Sequence, residues 1–201
     1  MDLPLGLSKD PRQSIAKAME LLQKSVALDK PNSSGVAHSL LGWLYTLMGQ
    51  HDKGISECER GVSLEPNSAM AYLWLGVVLR YAGRHKDSIK MYEEAIRLNP
   101  IPPVIYYHGL SLTYCLAGQY EEAITVGKKA IRLEPEGLVS HAFLAVAYSL
   151  SGREEEARIE AREVLRINPK FSVQSWGKTM PFRNQADLEL VIGALRKAGL
   201  K

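Results

Sequence analysis

The sequence predicts an all-α protein in which antiparallel pairs of helices are stacked one on another. Three observations predict this architecture. Prolines recur with separations of 34, 35 and 34 residues, at Pro66, Pro100, Pro135 and Pro169. Glycines recur with the same separations, about halfway through each unit, at Gly49, Gly83, Gly118 and Gly152. Between these breaks the apolar residues fall at helical spacing.

Each repeating unit is expected to contain two helices because it contains two signals that end a helix. Glycine adopts the left-handed conformation that closes a helix, and proline lacks the N–H that would continue one. The chain of 201 residues, with 46% apolar and 23% charged residues, is long enough for one domain with a sizeable core. The predicted units are 35–68, 69–102, 104–137 and 138–170.

The first helix of each unit has a shared pattern that begins with leucine and a small residue. It occurs as Leu41-Gly42-x-x-Tyr45, Leu75-Gly76-x-x-Leu79, Leu110-Ser111-x-x-Tyr114 and Leu144-Ala145-x-x-Tyr148. The second helices show a matching order of small residues, as in Ser88/Tyr92/Ala95 and Ala157/Ala161/Val164. These four successive patterns resemble the tetratricopeptide repeat (TPR) family. The resemblance implies a TPR solenoid, a right-handed superhelix of antiparallel helix pairs that binds other polypeptides and is not an enzyme.

The units depart from the family pattern at a few positions. Three second helices have a small residue where the family prefers an aromatic one, at Cys58, Gly127 and Ala161. This difference predicts looser packing of those second helices. His38 and His141 replace the usual leading aromatic residue of the first helix.

The ends of the chain differ from its middle. Residues 8–30 match only the second helix of a unit, with a helix start at Asp10-Pro11, and predict an N-terminal half-repeat. Residues 171–201 predict a partial repeat, an interruption at Pro181 and a C-terminal capping helix that Asn184 begins. The buried stripe of that helix is expected to contain Leu188, Val191, Ile192 and Leu195.

A narrower resemblance extends over most of the chain. Ser8-Lys9-Asp10-Pro11 near the start and Met180-Pro181-Phe182-Arg183 near the end look like the C-terminal repeat region of bacterial class III adenylate/guanylate cyclase-type proteins. In such proteins the repeats follow a nucleotide cyclase domain, for which this chain has no room. The resemblance therefore implies a regulatory module, without cyclase activity, in a bacterial signalling protein.

Composition excludes several classes of function. The net charge of +3 is spread along the chain without the basic blocks of nucleic-acid or anionic-membrane binders. No export signal and no long apolar run is found, so a cytoplasmic protein is expected. Cys58 and Cys115 are single residues in apolar patterns and are expected to be reduced core residues. The five histidines lack metal-ligand spacing, and no cofactor, metal site or catalytic group is predicted.

The family resemblance also implies a binding groove. In the family, side chains at the second, fifth, ninth, twelfth and thirteenth positions of each unit point into a concave groove. Ser39 and Trp43 stand where chaperone-binding members have Lys and Asn, so capture of an acidic chaperone tail is excluded. The groove is expected to be apolar and to bind a peptide or an amphipathic helix. Its candidate peptide-binding residues are Trp43, Leu47, Met70, Leu73, Val77, Tyr81, His108 and Leu112.

Two alternatives to an open groove follow from the same sequence. Tight winding of the stack would bury these side chains between neighbouring first helices, or the segment 3–7 or a second copy of the chain would fill the groove. If its own chain or a second copy fills the groove or the edges, the protein would be a self-associating assembly module, and with a second copy it would be a homo-oligomer. An exposed apolar surface of this size is unusual without a partner.

Overall fold

The computed structural model describes residues 11–28 and 35–201, and all its regular elements in those ranges are helices. The predicted all-α TPR solenoid is confirmed. The helices are α1 Pro11–Leu28, α2 Gly35–Leu47, α3 His51–Leu64, α4 Ala69–Tyr81, α5 His85–Leu98, α6 Val104–Leu116, α7 Tyr120–Leu133, α8 Leu138–Leu150, α9 Glu154–Ile167, α10 Val173–Gly177 and α11 Gln185–Lys197.

The glycine of each unit ends the first helix, as the sequence predicts. Gly49, Gly83, Gly118 and Gly152 have φ values of 74°, 83°, 77° and 80°, which residues with a Cβ rarely adopt. The residue after each glycine closes the turn with a backbone bond to the preceding helix, as Gln50 N–H does to the carbonyl of Tyr45 at 2.8 Å. First helices α2, α4, α6 and α8 thus alternate with second helices α3, α5, α7 and α9.

The first helix pair packs more tightly than the sequence predicts. A Cβ added at Gly42 would lie 2.5 Å from the carbonyl oxygen of Gly54, and one added at Gly54 would lie 2.7 Å from that of Gly42. The two backbones are therefore in direct contact, and Cys58 is fully buried between them. The expected loose packing at Cys58 is wrong because glycines on both helices remove the gap that an aromatic residue would fill.

The other two small positions are also filled. A Cβ at Gly127 would lie 3.0 Å from Cδ1 of Leu144 and 3.1 Å from Oγ of Ser111. Side chains of neighbouring helices therefore occupy the space at Gly127, and the predicted looseness is wrong there. Ala161 is buried, with 3% exposure.

Tyr92 joins the second and third units at the centre of the stack. It is fully buried on α5, and its ring lies against Gly76 of α4 and Gly109 of α6, where an added Cβ would come within 3.0 and 2.6 Å of its atoms. Nη1 of the buried Arg80 donates to the Tyr92 hydroxyl at 3.0 Å and to the carbonyl of Gly109 at 3.2 Å. One aromatic ring therefore packs against both units, and one guanidinium bonds to both.

His38 and His141 occupy equivalent positions in the first and fourth units, and each contacts a glutamate of its second helix. Nδ1 of His38 lies 2.6 Å from Glu57, and Nδ1 of His141 lies 2.6 Å from Glu160. Nε2 of His141 also lies 2.8 Å from the carbonyl oxygen of Pro135. A carboxylate and a carbonyl only accept hydrogen bonds, so both nitrogens of His141 donate and the ring is protonated.

The predicted elements at the two ends form in the described residues. Helix α1 begins at Pro11 and packs against α2, while the segment 3–7 lies outside the described residues. The side chain of Asn184 accepts from Ala186 N–H and begins α11. Val191 and Leu195 of that helix are completely buried. Helix α11 packs against α8, so the chain's own end covers the last unit, as a solenoid requires.

The length and hydropathy of the helices also bear on membrane insertion. Within residues 11–28 and 35–201, no helix combines the length and the apolar character that crossing a membrane demands.

We expect Gly42→Ala to lower the free energy of unfolding by about 1–3 kcal/mol, because a methyl group cannot enter the contact between α2 and α3 without separating them. Gly193→Ala is the matched control, since nothing lies within 4 Å of a Cβ added on this exposed part of α11. The control should raise the unfolding free energy by about 0.5–1 kcal/mol. Urea denaturation of both variants measures the effects, and equal effects would contradict the backbone contact.

We expect the ion pair of His141 to stabilise the fold more at low pH than at high pH. Burial lowers the pKa of His141, but the bonds to Glu160 and to the carbonyl of Pro135 outweigh burial and raise the pKa above its ordinary value. The contribution is therefore complete below about pH 6.5 and is lost as the pH rises through the folded-state pKa.

The variant His141→Tyr/Glu160→Val tests this pH dependence, because Tyr107 and Val126 occupy the same two positions in the third unit. The difference in unfolding free energy between wild type and variant should favour wild type most near pH 6 and shrink towards pH 9. A difference that stays constant over this range would show that His141 is not protonated in the fold.

Candidate functional site on the first-helix face

The predicted site residues all lie on the first helices, but they differ in exposure. We call the side of the stack formed by α2, α4, α6 and α8 the first-helix face. Met70 is 42% exposed, and Trp43, Leu47 and His108 are partly buried. The other four are buried, with exposures of 1% for Leu73, 6% for Val77, 8% for Tyr81 and 0% for Leu112. Half of the predicted site residues are therefore buried in the structure, and the other half reach solvent at least in part.

Part of this burial comes from the chain's own C-terminal end. We call residues 178–201, which comprise the linker after α10 and helix α11, the C-terminal arm. Its buried residues Met180, Val191 and Leu195 belong to the same hydrophobic cluster as Tyr81 and Leu112. Neighbouring helices contribute to the same cluster, which contains Tyr106 of α6 and Phe143 of α8. Winding and self-coverage together close the middle of the face.

The contact between the arm and α4 has the features of a bound peptide. Residues 180–182 belong to no helix, and Arg183 N–H donates to the carbonyl oxygen of Tyr81 at 2.8 Å. The ring of Phe182 packs edge-on against the ring of Tyr81, with 4.9 Å between centroids. One main-chain hydrogen bond and one aromatic contact therefore hold this linker on the end of α4.

Ion pairs link the arm to the beginnings of three second helices. Arg183 lies 2.7 Å from Asp52 at the start of α3, and Lys197 lies 3.1 Å from Glu154 at the start of α9. These two pairs are solvent-exposed and contribute little energy. Asp187 lies 3.2 Å from His85 at the start of α5, and both side chains are mostly buried. The arm therefore crosses the stack from the first unit to the fourth.

Aromatic rings form a row at the N-terminal end of the face. Trp43 stacks with Trp74 at 5.8 Å between centroids and packs against Tyr81 at 5.7 Å. Tyr81 in turn contacts Phe182 of the arm, so Phe182 extends the row. Trp43 and Trp74 are only partly buried, so the row reaches solvent at its N-terminal end. We call Trp43, Trp74 and Tyr81 the aromatic row.

A second aromatic group closes the C-terminal half of the face. His108 packs edge-on against Phe143 at 6.0 Å, and Trp176 of α10 lies 5.4 Å from Phe143. Phe171 in turn contacts Trp176 at 5.3 Å. Because the segment after the fourth unit supplies Phe171 and Trp176, the chain itself occupies the surface around His108.

Electrostatics make the middle of the face unsuitable for a carboxylate clamp. Burial and the nearby Arg80 lower the pKa of His108 to about 4, so its ring is neutral at neutral pH. Arg80 is 5% exposed and directs Nη1 to Tyr92 and Gly109 inside the stack. The two basic residues of this region therefore act in the core and not on a surface ligand.

Sequence reasoning missed the residues that meet the aromatic row. Phe182, Arg183 and Asp52 were not predicted to lie near it. The sequence signal for these contacts is an aromatic and a basic residue, Phe182 and Arg183, directly after Pro181 in the linker before α11. Repeat positions alone do not reveal such a contact because it joins parts of the chain that the repeat does not relate.

Potential metal ligands and thiols are the remaining side chains that could support chemistry. Among residues 11–28 and 35–201, no group of three or more His, Cys, Asp or Glu side chains is placed to hold a metal ion. Cys58 and Cys115 are buried free thiols, and burial raises the pKa of both far above its ordinary value. Thiols in this state are poor nucleophiles.

The repeats of this chain are similar to those of known proteins. Family models described as tetratricopeptide repeat match residues 67–136, 37–68 and 139–171. The small glutamine-rich tetratricopeptide repeat-containing protein 2 of Mycosarcoma maydis is 28% identical over 88 residues, which are 44% of this chain. The chain matches only 24% of the length of that relative.

Solved structures share the fold. MamA is 25% identical with a TM-score of 0.63, and the match covers 85% of this chain and 98% of MamA. PilW, a widely conserved type IV pilus biogenesis factor, is 17% identical with a TM-score of 0.73 over 92% of this chain and 82% of PilW. YrrB, a TPR protein with an unusual peptide-binding site, is 16% identical with a TM-score of 0.61 over 90% of this chain and 91% of YrrB.

The family matches cover well over half of the chain and fall on the helix pairs α2–α3, α4–α5, α6–α7 and α8–α9. The glycine turns, the small residues between helices and the stacked order of the pairs agree with these matches. The chain belongs to the tetratricopeptide repeat family.

Proposed function

We propose that this protein is a non-catalytic interaction scaffold that binds a segment of another protein at the N-terminal end of its first-helix face. The observation that supports the proposal is the aromatic row, which reaches solvent at Trp43 and Trp74. Aromatic side chains supply much of the binding energy in protein interfaces because they bury a large area with little loss of conformational freedom.

Neighbouring apolar side chains enlarge this surface. Met70 lies near the start of α4 and is 42% exposed, and Leu47 of α2 is partly exposed. Flexible methionine side chains adapt to partners of different shape. The exposed binding surface of the proposal is therefore Trp43, Leu47 and Met70, with the buried Tyr81 packed against Trp43.

The remaining predicted residues have a supporting role in this proposal. Leu73, Val77 and Leu112 are buried, so they position the first helices and do not meet a ligand directly. His108 is packed against Phe143. The ligand of the proposal is thus shorter than one that would follow the face through all four units.

The wider setting of the scaffold is also a proposal. The sequence resemblance to cyclase-type proteins favours a regulatory module in a signalling protein of the bacterial cytoplasm. None of the relatives named above is a cyclase-type protein, so this role remains a prediction from Ser8-Lys9-Asp10-Pro11 and the C-terminal motif.

We expect Trp43→Glu to reduce recovery of the natural partner by about tenfold or more, because a carboxylate in the aromatic row opposes an apolar ligand. Affinity purification from the source cell, with mass-spectrometric identification and quantification of the bound proteins, measures the loss. Circular dichroism should show that the variant keeps its helix content.

The matched control is Ile101→Glu, which introduces the same charge at a residue that is 86% exposed between α5 and α6. It should retain the partners of the wild type. A folded Trp43→Glu variant that recovers the same proteins in the same amounts would remove the aromatic row from the function.

A further inference from the structure

We propose that the aromatic row binds a non-helical partner segment in which an aromatic residue is followed by a basic one, and that Phe182 and Arg183 of the chain itself compete for that place. The proposal rests on the proposed function, since it names the class of ligand and the regulation of the same surface. Its evidence is the way in which the C-terminal arm already lies on α4.

The main chain of the arm is bound as a peptide would be. Helix α4 ends at Tyr81, and its last carbonyl groups have no partner within the helix. Arg183 N–H donates to the carbonyl of Tyr81 at 2.8 Å and satisfies one of them. The arm itself turns at Pro181, where Phe182 N–H donates to the carbonyl of Met180 at 2.9 Å. The bond to Tyr81 uses no side chain of the arm, so the sequence preference comes from other contacts.

The aromatic preference comes from the ring of Tyr81. Phe182 meets this ring edge-on at 4.9 Å, and Tyr81 also contacts Trp43 at 5.7 Å. Phe182 remains partly exposed, so it is not locked into the core. An aromatic residue of a partner would gain the same edge contact with Tyr81 and would join the row that Trp43 and Trp74 continue.

The basic preference comes from Asp52. This carboxylate is 86% exposed at the start of α3 and lies 2.7 Å from the guanidinium of Arg183. It is free to pair with a basic residue of an incoming segment as soon as Arg183 leaves. An acidic residue at the same place would meet Asp52 with like charge and would be rejected.

The intramolecular contact is weak enough to be displaced. The ion pair of Arg183 is exposed, and Phe182 contributes the edge of one ring, whereas the arm is held separately by the buried Met180, Val191 and Leu195. Release of Phe182 and Arg183 therefore leaves Met180 and α11 in place. A tethered segment acts at an effective concentration of the order of millimolar, so it raises the threshold for a partner without blocking the site permanently.

The test uses the full chain and the peptide Lys178–Gln185, acetylated and amidated, in NMR titrations that follow the indole N–H of Trp43. In the variant Phe182→Ala/Arg183→Ala the peptide should shift the Trp43 signal with saturation at millimolar concentrations. Wild type should need at least about twofold more peptide, because its own segment competes at an effective concentration comparable to the dissociation constant. The indole N–H of Trp176, which packs against Phe143, is the internal reference and should not move.

Altered peptides test the ligand class. Replacing Phe182 by Ala in the peptide should abolish the shift of Trp43, and replacing Arg183 by Glu should weaken binding several-fold, as expected for an exposed ion pair. Adding Asp52→Lys to the double variant should reverse the charge preference, so that the peptide with Arg183→Glu binds more tightly than the original one. Asp52 is solvent-exposed, so this substitution leaves the fold intact. The single variant Arg183→Ala replaces the double variant if the latter loses helix content.

Two outcomes would overturn the proposal. A Trp43 signal that does not respond to the peptide in the folded variant, or responds equally to all peptides, would show that the row does not select this ligand. The second outcome is that light scattering shows the wild-type chain dimerising as its concentration rises, while the Phe182→Ala variant stays monomeric. This result would show that the arm of a second copy occupies the place.

The proposed function and this inference fail separately. If Trp43→Glu loses its natural partner but the peptide does not bind the row, the surface is functional and the ligand class is wrong. If the peptide binds with the stated preference but Trp43→Glu recovers every natural partner, the inferred ligand class is right and the proposed function of the row is wrong.

Discussion

The fold depends on the close approach of neighbouring helix backbones, which small residues permit. No helix pair of this chain can bury its own apolar side, so each must lie directly on the next. Gly42 and Gly54 bring α2 and α3 into backbone contact, and Gly76 and Gly109 leave room for the ring of Tyr92. Side chains elsewhere adapt to this spacing. The positions of the first-helix face, and hence of the aromatic row, follow from it.

Much of the fold follows from the sequence because it depends on local chemistry that repeats. Pro11, Gly83 and Asn184 act on their own helices, and the structure confirms the breaks and caps that these residues predict. The packing around Cys58 was not predictable in the same way. Its tightness depends on Gly54 of its own helix and on Gly42 of the neighbouring one, and a pattern that considers one helix at a time misses such pairs.

The candidate site was harder to predict than the fold. Repeat positions place Trp43 and Leu73 on the same face, yet one is partly exposed and the other is buried. Exposure on this face depends on packing between units and on segments outside the repeat, such as the arm that brings Phe182 onto Tyr81. A repeat describes how a unit meets its neighbours, and it contains no information about a non-repeating segment that folds back over several units.

The ring of Tyr92 also affects how the stack comes apart. Solenoids usually lose units one at a time from their ends, since each unit touches only its neighbours. Here one residue of α5 fills a space that belongs half to α4 and half to α6, and Arg80 bonds to both sides. Opening the boundary between the second and third units would break the bond from Arg80 to the carbonyl of Gly109 and would uncover the buried ring of Tyr92. We therefore expect these two units to open together as one cooperative block, with similar protection of amide protons on either side of the boundary against exchange with solvent.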